Sequence, residues 1–194
     1  MMRYLVPFLL WLPIAMADDA PVFSGSGCPA GSVSVAFAPD HSAVSVLFDR
    51  FTVEAGGASL PKKASKDCRI TIPVEVPKGM QVAVGRIDYR GFFDLPAHAR
   101  ARLVVKNAFR GNGGPEVKRD FGGPATSDFF ETNQVNDAEI RWSPCGGLDS
   151  VTVITSLELH SPKERALLTL DSEDASGSRG FVYRLQWREC RERR

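Results

Sequence analysis

The chain has 194 residues, is 43% hydrophobic and carries 24 Lys and Arg against 23 Asp and Glu. That length predicts one domain with a real hydrophobic core. The balanced charge excludes a net field for gathering nucleic acid or an acidic membrane surface.

Residues 1–17 read as a secretory signal peptide: Arg3 is the basic start, Tyr4 to Ile14 the apolar run, and Ala15-Met16-Ala17 the small residues ahead of the cut. A membrane helix needs about 20 apolar residues, and here Pro7, Pro13, Asp18 and Asp19 interrupt the run. A short lead at 18–27 then precedes a single domain over 28–190 and a basic tail at 191–194.

Four cysteines, Cys28, Cys68, Cys145 and Cys190, lie far apart, and none forms a C-x-x-C pair. Structural zinc sites usually take paired ligands from a tight turn, and that signature is missing. An even cysteine count in an exported chain predicts two disulfides. Pairing in sequence order, Cys28 with Cys68 and Cys145 with Cys190, closes the shorter loops and is preferred among the three connectivities.

Apolar residues alternate at period two through most of the chain, the pattern of half-buried strands. Val33, Val35 and Phe37, the turn "APDHSA" and then Val44, Val46 and Phe48 predict a hairpin. Ile70, Ile72, Val74 and Val76 keep the parity of Cys68, so all five should face inward; Pro73 places that strand at an edge or bulge. Val82 and Val84 have one parity and Ile87 and Tyr89 the other, which predicts a β-bulge near Gly85.

"LPAHARAR", 95–102, reads either as one turn of helix or as a loop entering a strand. Leu103, Val105 and Phe109 predict the next strand, Val117 and Phe121 a shorter one, and Ile140 and Trp142 another. Roughly 110–137, rich in Gly, Asn and Asp, reads as the longest irregular region, the kind of loop that often carries function. Val151 to Leu159, Ala166 to Leu170, the polar turn "DSEDASGSRG" and Phe181 to Trp187 complete the chain. About nine or ten short strands and little helix predict an all-β, antiparallel two-sheet sandwich of the immunoglobulin-like or jelly-roll kind.

"GSGCPAGSVSV", "KDCRITIPVEVPKGMQVAVGRIDYRGFFDL", "WSPCGG", "LTLDS" and "YRLQWREC" together resemble a secreted family known as domain of unknown function 4360. The resemblance runs from about Gly25 to Cys190 and takes in all four cysteines; Arg110 to Glu131 departs most from the pattern. It implies an extracytoplasmic, disulfide-bonded, mostly β protein, and it carries over no catalytic residue.

No serine sits in a G-x-S-x-G elbow, and nothing marks a serine for a His-Asp-Ser triad. Asp128, Glu131, Asp137 and Glu139 are candidate calcium ligands, since calcium takes several loop oxygens; otherwise no cofactor is implied. "DSEDASGSRG" departs from the calcium-loop pattern at Glu173 and Ala175. Tyr89, Arg90, Phe92 and Phe93 in "DYRGFFDL" are the candidate binding residues. Two phenylalanines exposed on a loop would make a stacking platform. The competing reading buries Tyr89 and one phenylalanine and lays the other over a sheet edge.

Trp142 and Trp187 read as packing residues. Lys62, Lys63 and Lys66, with Arg188, Arg191, Arg193 and Arg194, read as a solvated loop and a frayed terminus rather than a contact to anionic wall polymers. The sequence therefore predicts a secreted or periplasmic, non-enzymatic module binding an extracellular glycan or surface protein, with no nucleic acid partner and no membrane span after signal removal. The rival is a small secreted hydrolase using carboxylates in the 110–139 region; a coat component is the third reading.

Overall fold

Alternating apolar residues set the long strands of the computed structural model, which describes residues 20–109, 112–170 and 180–190. The predicted signal peptide, most of the "DSEDASGSRG" turn and the basic tail lie outside the described residues. Twelve strands occur among them: β1 (Val22–Ser24), β2 (Val33–Phe37), β3 (Ala43–Phe48), β4 (Thr52–Ala55), β5 (Lys63–Val76) and β6 (Met80–Leu95), then β7 (Arg100–Phe109), β8 (Asn112–Gly122), β9 (Ala125–Gln134), β10 (Gly147–His160), β11 (Ala166–Thr169) and β12 (Phe181–Glu189).

Five strands form one sheet in the order β1-β5-β10-β7-β8; the other runs β2-β3-β12-β6-β11-β4, with β9 also on β6. Every pairing is antiparallel. The protein is thus the expected all-β sandwich. Between the sheets, Cys68, Ile70, Ile72, Val153 and Leu157 from one side meet Val46, Phe48, Ile87, Tyr89 and Phe181 from the other, all buried.

Local chemistry explains several of these elements. In the β2–β3 hairpin, the Asp40 carboxylate accepts from the Ser42 amide at 3.0 Å and hydroxyl at 2.7 Å, while His41 turns the chain at φ 55. Side-chain acceptance of this kind is why Asp favours turns. The predicted bulge is present: Arg184 pairs with Arg86 and Leu185 with Val84, leaving Gly85 as the extra residue. It restores the inward face, so Val82, Val84, Ile87 and Tyr89 are all buried. Pro73 lies just past the end of the β1 register, which stops at Thr71, and among the described residues no strand pairs with that edge of β5 beyond it. Both predicted disulfides form, with Cα separations of 5.4 Å for Cys28–Cys68 and 5.8 Å for Cys145–Cys190.

Three expectations need correction. The 110–137 stretch is not a long loop; β8 and β9 fill most of it, separated by Gly123 and a cis-bonded Pro124. Ile140 and Trp142 belong to no strand. Instead Ser143 clamps the start of β6, donating its amide to the Val82 carbonyl at 2.8 Å and accepting from the Val82 amide on Oγ at 3.0 Å. Trp142 is half-buried beneath the Arg188 guanidinium, 3.9 Å from its ring centroid, rather than in the core. Finally, Lys63 and Lys66 stand on β5, not in a loop. Of the two readings of 95–102, the loop entering a strand holds, with 96–99 joining Leu95 at the end of β6 to Arg100 at the start of β7.

Candidate functional site

The four candidate binding residues sit on β6, where adjacent side chains point to opposite faces. Tyr89 points inward and is fully buried, which pushes its hydroxyl up to about 12. Phe93 also packs inward, 4.9 Å from Phe121 and 6.3 Å from Phe129 between ring centroids. Arg90 and Phe92 face outward, and a residue missed in the sequence joins them: Phe130, opposite Arg90 on β9 and 53% exposed. The Arg90 guanidinium lies 4.7 Å from the Phe130 ring centroid. Phe130 is therefore the exposed ring on this face, with Phe92 half-buried beside it, and Gly91 has the inward parity, where a Cβ would meet the Thr169 carbonyl and the Phe129 ring.

The acidic residues do not converge either. Asp128 is on the outer face of β9, opposite Phe92. Glu131 turns inward and accepts from Arg119 Nε at 2.8 Å, bridging β9 to β8 at the side of the sandwich. Asp137 and Glu139 are exposed in the turn after β9. Among the described residues, no three of His, Cys, Asp and Glu gather as a metal ion would require.

A larger feature lies on the other sheet. A hollow of about 840 Å³ covers one end of it, where β5, β10, β7 and β8 run side by side. Cross-strand register sets Lys63, His160, Arg100 and Gly122 in one row, and Ser65, Glu158, Arg102 and Asp120 in the next. The row between them, Ala64, Leu159, Ala101 and Phe121, points to the core, so the polar rows face solvent.

Charge within the hollow is unevenly satisfied. Arg102 Nε donates to Asp120 Oδ1 at 2.6 Å, a hydrogen bond that holds the Asp120 carboxyl below its ordinary value and raises Arg102. Lys63, Arg100 and His160 make no side-chain hydrogen bond or ion pair among the described residues. Sequence reading missed this site because its residues come from four segments. The one available signal was the alternation of Arg100 and Arg102 with Ala101 and Leu103.

No helix among the described residues is long and apolar enough to cross a membrane. An "Uncharacterized secreted protein" of Arthroderma benhamiae is 27% identical over 173 residues, covering 87% of this chain and 69% of that protein. A solved structure of TmCBM61 in complex with β-1,4-galactotriose aligns over 87% of this chain and 88% of its own at 13% identity, with a TM-score of 0.27. That likeness is too distant to bear on topology or ligand. With a secreted relative and all four cysteines paired, the protein is secreted or periplasmic. The family described as "Domain of unknown function (DUF4360)" matches residues 19–190, so the chain belongs to the DUF4360 family.

Proposed function

We propose that the protein is a non-enzymatic module that binds an extracellular glycan in the hollow of its five-stranded sheet. The observation that carries this reading is the hollow itself, about 840 Å³ of open concavity floored by four hydrogen-bonded strands. Four strands at about 4.8 Å spacing span about 14 Å, which suits an elongated ligand. Most small-molecule pockets are lined by apolar side chains; here Arg, Lys, Ser, Asp and Glu offer donors and acceptors to a ligand covered in hydroxyls.

Sedimentation of the mature chain, 18–194, with insoluble cell-wall and plant polysaccharides tests the proposal. Saturable binding is expected to at least one polymer. Gly122→Ile should weaken it at least about tenfold, because a Cβ there meets no atom within 4 Å and the branched side chain enters the hollow without strain. Binding to no polymer, or binding that ignores Gly122→Ile, overturns the reading. A chelator should leave binding unchanged.

The exposed ring of Phe130 under Arg90 favours a second reading, a protein contact on the larger sheet. Phe130→Ala should abolish capture of a surface protein and leave polysaccharide binding intact.

A further inference from the structure

We infer that the ligand of the hollow is a carboxylate-bearing polysaccharide, held by Lys63, His160 and Arg100; this rests on the reading of the hollow as a glycan site. Like charges directly opposite one another on a sheet are destabilising, and elsewhere on this face the protein avoids them. Arg102 faces Asp120 at 2.6 Å, and Glu116 lies 3.8 Å from Lys106 and 3.0 Å from Lys118.

The end row lacks that pairing of opposite charges. Lys63, His160 and Arg100 stand on adjacent strands with no carboxylate among them, and Gly122 beside Arg100 has no side chain to offer. Lys63 and Arg100, on the strands either side of His160, put two cations without a carboxylate partner at the floor of a concavity, which suits an anion. The planar fork of Arg100 fits a carboxylate bidentately, and Lys63 adds a point charge.

The next row points to a sugar acid rather than to a simple polyanion. Ser65, Glu158, Arg102 and Asp120 together carry one negative charge in excess, with Glu158 between Ser65 and Arg102. Glu158 would repel a second anionic group and accept from hydroxyls. The hollow is therefore polarised: positive along one row for a ring carboxylate, and acceptor-bearing along the next for the ring hydroxyls. A polymer of uronic acids matches that division. A densely sulfated chain or a nucleic acid, charged on both sides, does not.

The test compares polygalacturonate and alginate with their methyl esters, which keep the backbone and remove the charge, by affinity electrophoresis of the mature chain. At least one acidic polymer should bind about tenfold or more tighter than its ester. Arg100→Ala and Lys63→Ala should each cost at least about fivefold on the acidic polymer and little on the ester. Both side chains are exposed, and an unchanged melting temperature separates lost binding from lost fold.

Equal affinity for acid and ester, or variants without effect, overturns the inference, as does heparin binding as tightly as the best uronan. Binding of neutral polymers alone, still sensitive to Gly122→Ile, overturns it while leaving the hollow a glycan site. Binding of every polymer unaffected by Gly122→Ile removes both readings.

Discussion

Asp88 is 7% exposed on the outer face of β6, yet its carboxyl is ionised more readily than usual. Burial pushes its pKa up, but hydrogen bonds from Arg86 Nε and Thr132 Oγ1, each at 2.8 Å, and the charges of Arg86 and Arg184 outweigh that and leave it lowered. Asp88→Ala strands two guanidinium groups and a hydroxyl, and should cost about 2 kcal/mol by urea unfolding at neutral pH. A carboxyl whose folded pKa is depressed contributes stability above its unfolded value, about 3.9, and that contribution is lost as pH falls through the folded value. Melting temperatures measured between about pH 6 and 2 should therefore drop more for the wild type than for Asp88→Asn; parallel curves would remove Asp88 from the acid response. None of this was legible beforehand, because Asp88, Thr132 and Arg184 meet only across three paired strands.

Two glycines on β6 separate what alternation predicts from what packing decides. Gly85 was readable as a bulge because apolar parity changes across it, a signal carried by neighbours in the chain. A Cβ at Gly85 would overlap the Gln186 side chain from Cγ outward, which is exposed and can take another rotamer, so Gly85→Ala should cost about 1 kcal/mol. At Gly91 a Cβ would run into the Thr169 backbone carbonyl and the Phe129 ring. Gly91→Ala should cost about 3 kcal/mol, because neither neighbour can move without parting β6 from β11 or disturbing the core. Thermal unfolding of the two variants side by side checks the contrast, and equal losses would mean the sheet gives way at Gly91. Strand β9 escaped the sequence reading for a related reason. Phe129 is its buried apolar residue, its outer face is mostly polar, and its pairing with β6 lies far from its neighbours in sequence, so the period-two signal was weak.

At the scale of the molecule, Cys145 lies just before β10 of the smaller sheet and Cys190 just after β12 of the larger, so their bridge ties the sheets together at one end. It closes 45 residues of chain. Restriction of the unfolded state over such a loop is worth about 4 kcal/mol before any strain, and replacing both cysteines with serine should lower stability by that order in denaturant titrations. Unfolded, unreduced protein should show only trace thiol labelling, and stoichiometric labelling would contradict the pairing. The sandwich class, the hairpin, the bulge and the inward set on β5 were determined by the sequence itself, because side-chain alternation depends on order along the chain; short-loop closure made one cysteine pairing preferred, and the fold selected it. The hollow was decided by tertiary structure alone. Its rows join residues from 63 to 160 across β5, β10, β7 and β8, strands that are not all consecutive, and only their register in one sheet sets Lys63 beside His160 and His160 beside Arg100. The same holds for Phe92 and Phe93: adjacency in the chain put them on opposite faces, and pairing with β9 supplied Phe130 as the exposed ring beside Arg90.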